Sequence, residues 1–148
     1  MVDQAGYEQD LFLWTREQAQ ALRAAARSGT NLPIDWENVA EEIESLGRSD
    51  RNEISSRVGT IIEHLLKLQS SPAIDPRPGW RATILRERVE LLERLADSPS
   101  LRPQVAGIIS RRMTSARRIA AATLKEYGEP LAELPDYTEE QVLGDWLP

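Results

Sequence analysis

The chain is predicted to be all-α, an antiparallel helical bundle of three to four long helices with short N- and C-terminal helices. Three observations predict it. Apolar residues recur at spacings of three and four along almost the whole chain, no segment alternates as a half-buried strand would, and the breaks fall at short stretches holding Gly, Pro and Ser. With 148 residues the chain is long enough for a real core, and it is expected to form a single domain spanning residues 1–148.

The elements follow in order. Tyr7 to Trp14 reads as a short helical turn carrying Tyr7, Leu11, Phe12 and Trp14 inward. Thr15-Arg16-Glu17-Gln18 has the form of a capping box, opening a helix that runs to about Arg27 and is ended by Ser28-Gly29. Asn31 to Ile34 is a loop, and Asp35 is the N-cap of the next helix. That helix holds the run Asn38 to Asp50, with a narrow apolar seam (Val39, Ile43, Leu46) and three carboxylates around it (Glu41, Glu42, Glu44). Gly47 either ends it or is tolerated within it, and a second cap at Ser49 or Asp50 starts the strongest helix. Its broad apolar face is Ile54, Val58, Ile61, Ile62, Leu65, Leu66 and Leu68. Gly59 sits inside it and is a place where another backbone could approach closely, with the small face Gly107, Ala116, Ala120 and Thr123 as the neighbour.

Ser70-Ser71-Pro72 stops this helix, and the Pro-rich stretch from Pro72 to Pro78 is a loop. A further helix is predicted from about Gly79 to Ala96, with Trp80, Ile84, Leu85, Val89, Leu91, Leu92 and Leu95 as its apolar residues. Asp97 to Ser100 is a turn. Pro103 lacks an N–H, so it fits best at the third helical position, which makes Ser100 the cap and Leu101 the start of the next helix. That helix runs to about Tyr127 and is closed by Gly128 and Pro130. Thr138-Glu139-Glu140-Gln141 is a second capping box opening a short terminal helix.

Composition narrows the function classes. The apolar fraction is 41%, the charged fraction 28% and the net charge −6, so non-specific attraction to nucleic acid or an anionic membrane is not expected. No cysteine is present, which removes disulfide and thiolate chemistry. No apolar run reaches the ~20 residues that span a bilayer, and Met1 to Gly6 lacks the basic and apolar regions of a signal peptide. The expected location is the cytoplasm. All but two of the 18 basic residues are arginines, the exceptions being Lys67 and Lys125; arginine can lace glutamate-bearing helices together through forked contacts.

Several runs carry a resemblance: Tyr7-Glu8-x-Asp10 with Trp14, Asn38-x-Ala40-Glu41-Glu42-Ile43-Glu44-Ser45-Leu46-Gly47-Arg48-Ser49, and His64-Leu65-Leu66-Lys67. Trp80-x-x-Thr83-Ile84 with Arg88, Asp97-Ser98-Pro99-Ser100-Leu101 and Tyr137-Thr138-x-Glu140-Gln141 continue it. In these the chain, from Tyr7 to Pro148, resembles the bacterial family catalogued as domain of unknown function 29. The resemblance implies an α-helical bundle and no activity, cofactor or catalytic residue. Met113 departs from the family pattern, which often has an aromatic residue there.

The residues themselves offer little chemistry. His64 is the single histidine and position 61 is isoleucine, so the Glu-x-x-His pairs of bundle di-iron sites are missing. Glu41 and Glu44 have the Glu-x-x-Glu spacing of helical metal-dependent pyrophosphatases, but a matching second helix is lacking: Glu87, Glu90 and Glu93 are interleaved with Arg86, Arg88 and Arg94. No phosphate-cradling glycine loop or nucleophile elbow occurs. No metal and no cofactor is expected. A polar ligand pocket of Glu41, Glu42, Glu44, His64 and Arg88 is one alternative, in which His64 would be a ligand or base. Arg88 falls on the apolar stripe and therefore needs a partner, for which Glu42 or Glu41 is the candidate.

Charge is also segregated. From Leu101 to Lys125 six residues are basic and none acidic, whereas from Glu126 to Pro148 seven are acidic and none basic. Either the acidic tail folds back over the basic helix, or the surface of Arg111, Arg112, Arg117 and Arg118 meets RNA or an acidic protein. Nucleic acid is the less favoured partner, since Tyr127 is the one aromatic residue near that helix. The leading expectation is a small interaction or regulatory module without catalysis, with a protein partner or a second copy of the chain.

Overall fold

A computed structural model describes residues 4–148. The first three residues, part of the Met1 to Gly6 stretch read above, lie outside the described residues. Among the described residues there is no strand, and six α-helices follow one another: α1 (Gln4–Gln9), α2 (Leu11–Arg27), α3 (Trp36–Ser70), α4 (Arg77–Asp97), α5 (Val105–Lys125) and α6 (Glu139–Leu143). A 3-10 helix, Pro99–Gln104, precedes α5. The all-α expectation holds, with α3, α4 and α5 of 35, 21 and 21 residues, α2 of 17, and short helices at both ends. The chain forms two compact units. One comprises residues up to Glu53 together with Arg94–Arg102, and the other Ile54–Glu93 with Pro103–Pro148.

In the first unit, α2 starts four residues before the predicted cap. Asp10 is extended (φ −155°, ψ 93°) and its carboxylate accepts the Leu13 N–H at 2.9 Å. Thr15 is no cap: it is buried inside the helix and its hydroxyl donates to the Phe12 carbonyl at 2.7 Å. Ser28 closes α2 and Gly29 turns the chain at φ +78°. Phe12 points inward as expected, but Tyr7 is exposed, its ring set edge-on to Trp14.

Asp35 caps α3 as read from the sequence, accepting from the Asn38 backbone and side-chain amides. The helix then runs unbroken through Gly47, Ser49 and Asp50, so the predicted second cap does not exist. Gly47 keeps a negative φ, and its lack of a side chain answers to close packing: an added Cβ would collide with the Thr15 hydroxyl and lie 3.2 Å from the Phe12 ring. The expected seam is turned by one residue. Ala40 and Gly47 are buried, whereas Val39 and Leu46 are exposed.

The 97–101 turn is bound to the start of α2. The Phe12 N–H donates to the Ser98 hydroxyl at 3.0 Å, and Asp10 accepts both the Ser100 N–H and the Ser100 hydroxyl at 2.7 Å. Held this way, residues 99–104 wind as a 3-10 helix and α5 begins at Val105, four residues after the predicted start at Leu101. Arg94 reaches Glu53 (3.2 Å) and Asp50 (3.9 Å).

The core of the second unit is the predicted face of α3, Ile54 to Leu68, packed with Ile84 and Leu91 of α4 and Val105, Ile108, Ile109, Met113, Ala116, Ala120 and Leu124 of α5, all buried. Ser70 ends α3 as predicted. Helix α4 starts at Arg77, two residues early, with Pro78 in its first turn, where a missing N–H costs nothing. The Arg57–Glu87 pair joins α3 to α4 at 3.0 Å. Gly59 accommodates a side chain, not a backbone: an added Cβ would lie 3.3 Å from Cδ of Arg112, whose Nε donates to Ser55 at 2.8 Å. Gly107, named above as part of its neighbour, is exposed. Gly128, at φ +71°, closes α5; its N–H and that of Glu129 return to the Lys125 and Leu124 carbonyls. The Thr138–Gln141 capping box of α6 is present in both directions.

Candidate functional site

Several of the residues singled out from the sequence have specific partners. Glu41 and Glu44, one turn apart on α3, face two arginines. Arg23 of α2 bonds Glu44 and reaches Glu41 at 3.5 Å, while Arg48 bonds Glu41 at 2.6 Å and lies 3.4 Å from Glu44. The hydrogen bond from Arg23 holds Glu44 below the ordinary carboxylate range. Glu42 is exposed. The acidic run is thus an ion-paired clasp between α2 and α3, in the first unit.

His64 and Arg88 belong to the second unit. His64 is half-buried at the edge of the α3 face, as expected, and its Nδ1 lies 2.9 Å from the Thr60 carbonyl of its own helix. Burial lowers its pKa, so the ring is neutral near pH 7, and a neutral ring at this distance donates from Nδ1. The buried Arg88 does not use Glu41 or Glu42. Its Nε donates to the Val142 carbonyl at 2.9 Å and its Nη2 to the Gln141 and Trp146 carbonyls, each at 2.7 Å. The physical reason is the end of α6. The last carbonyls of a helix have no partner within it, and a guanidinium is a forked donor suited to several at once. Tyr137 completes the latch, its buried hydroxyl donating to Gln69. We call residues 137–147, held in this way, the C-terminal hook.

The acidic tail folds onto the basic helix where Arg117 pairs with Asp136 at 2.8 Å and donates to the Leu134 carbonyl. Arg112 is taken up by Ser55, while Arg111 and Arg118 are exposed. Among the described residues no three His, Asp or Glu side chains gather as a metal site would require, and no helix is long and apolar enough to cross a membrane.

The feature missed from the sequence is on α4. Leu85, Val89 and Leu92, named from the sequence only among the apolar residues of this helix, are 64%, 48% and 43% exposed. They stand beside Leu147 of the hook, 40% exposed, and line with it a groove of about 320 Å³. The signal was present: the apolar residues of α4 span about half its circumference, wider than one buried stripe needs. Trp80, Ile84, Arg88, Leu91 and Leu95 form one face and Leu85, Val89 and Leu92 the next. Arg81 and Asp145 flank the outer face. Arg81 has no hydrogen-bond or ion-pair partner among the described residues.

These features define an all-α protein with a long helix, α3, and a C-terminal hook latched by a buried arginine. The chain belongs to the family described as Domain of unknown function DUF29, whose model matches residues 7–147. It is similar to an α-helical protein of unknown function from Rhodospirillum rubrum, known from a crystal structure. The two are 32% identical over 94% of this chain and 89% of the other, with a TM-score of 0.76. No curated protein matches the chain. The runs that carry the family resemblance have structural duties here: Asp10 with Ser100, Ser98 with the Phe12 N–H, Gly47 against Thr15, and Arg88 on the hook.

Proposed function

We propose that the protein is a small interaction module, acting without catalysis in the bacterial cytoplasm, and that its contact surface is the outer face of α4 with the hook. The observation that carries this reading is the exposure of Leu85, Val89 and Leu92 in a row beside Leu147. Clustered large apolar side chains on a surface mark an interaction site. The occupant is a second copy of the chain. The same groove carries an unpaired guanidinium, Arg81, and a carboxylate, Asp145. A two-fold contact brings each of them against the other's counterpart, which is the self-complementarity an isologous interface requires. That Glu41, Glu44, His64 and Arg88 each have structural partners supports a non-catalytic role. One family model across both units supports treating the chain as one domain.

Sedimentation velocity over a range of concentrations tests the reading. The expected result is a dimer that Leu85→Glu together with Val89→Glu converts to monomer, with helicity and unfolding midpoint little changed because both residues are already exposed. A wild-type protein that stays monomeric at the highest concentration contradicts it.

A further inference from the structure

We propose that a second groove, between the α3–α4 connection and the end of α5, binds a small organic ammonium ion. Its construction begins in the sequence. Pro72 and Pro76 stiffen the connection, and the Ser71 hydroxyl accepts the Ala73 N–H at 3.1 Å. Arg77 pins the same stretch by donating to the Leu68 and Ser71 carbonyls. Across from it, the turn at Gly128 brings Tyr127 and Glu129 to the same groove as Trp80. The cavity is about 520 Å³, within the roughly 300–1,000 Å³ that small-molecule sites occupy.

The lining decides what kind of molecule fits. It contains two aromatic rings, Trp80 and Tyr127, two carboxylates, Asp75 and Glu129, and no basic residue. Glu129 has one carboxylate oxygen turned into the protein, buried and without a hydrogen-bond donor. No donor within the protein meets this oxygen, and the carboxylate adds negative potential to the groove. Aromatic faces attract cations for an independent reason, their quadrupole. Trp80 already shows this affinity: the buried Lys67 ammonium lies 5.6 Å from its ring centroid. Lys67 does not fill the need of the groove, because Glu63, at 3.5 Å, already balances its charge. Arg77 is committed to carbonyls. An alkylammonium ion supplies what the lining lacks, a positive charge with N–H donors on an apolar stem. None of this depends on the α4 face.

The test is a titration of the full-length protein with n-butylammonium chloride, followed by amide and indole NMR. Sodium butyrate is the control of equal length and opposite charge. A saturable shift of the Trp80 indole N–H is expected with the amine, roughly tenfold weaker binding in Glu129→Gln, in keeping with loss of a charge-assisted contact, and no saturable shift with butyrate. Trp80→Phe assigns the resonance, and circular dichroism of each variant confirms that it is folded. Absence of a saturable shift with the amine overturns the proposal. So does equal affinity in Glu129→Gln, or butyrate binding as well as the amine, which would make the groove merely apolar.

Discussion

Replacing Arg88 with methionine is expected to destabilise the protein by about 3 kcal/mol and to free the hook. The side chain is buried and serves the carbonyls of Gln141, Val142 and Trp146 at 2.7–2.9 Å. Methionine keeps much of the apolar stem and removes every donor, leaving three carbonyls to find water. An unsatisfied buried polar group costs on the order of 1–3 kcal/mol, and the end of α6 can recover part of that by exposure. Urea denaturation measures the loss, and hydrogen exchange of residues 137–147 should accelerate more than that of α3. Arg88→Lys should fall between the two proteins, since an ammonium is a compact charge and cannot fork across three acceptors. A loss below ~1 kcal/mol in the methionine variant, the scale of one ordinary hydrogen bond, would mean that the hook is held by its apolar contacts alone.

Asp10→Ala carries the second large effect, about 2–4 kcal/mol. Asp10 caps α2 through the Leu13 N–H and also receives the Ser100 N–H and hydroxyl. Loss of an N-cap costs typically ~1 kcal/mol, and hydrogen bonds to a charged group roughly 1.5–3 kcal/mol each. Ser100→Ala removes one of the three bonds, so it should cost less, and the double variant should lose less than the sum of the two singles. That coupling, read by denaturant unfolding in a double-mutant cycle, is the signature of the Asp10–Ser100 contact. Strict additivity would show that the two side chains act separately.

Much of the fold was legible in the sequence because its signals are local. The Asp35 cap, the Gly29 and Gly128 stops, the Thr138 box and the core face of α3 need only a few neighbouring residues, and each is where it was read. The errors share one cause, a partner distant along the chain. Thr15-x-x-Gln18 looks like a cap until Asp10 takes that duty. Pro103 argues for a helix from Leu101, but Asp10, 90 residues from Ser100, holds that turn in 3-10 form. Gly47 reads as either a stop or a glycine tolerated within the helix, and what decides for the second is the packing of Thr15 and Phe12. Arg88 was identified as a residue needing a partner, but no short-range pattern announces backbone carbonyls more than fifty residues away. The outer face of α4 was hidden by a different difficulty. Periodicity marks which residues are apolar, and an arc of this width does not say which part of it stays uncovered.

The central claim, that the α4 face with Arg81 and Asp145 receives a second copy of the chain, is tested most directly by charge reversal followed by sedimentation equilibrium. Arg81→Glu alone and Asp145→Arg alone should each weaken the dimer, because each sets like charges against one another across the two-fold axis. An equimolar mixture of the two variants should associate again, because a heterodimer sets opposite charges together at both contacts, and the double variant, with both charges exchanged in one chain, should recover most of the wild-type affinity. Dimerisation that is indifferent to both single reversals, or a double variant weaker than either single one, would contradict the account.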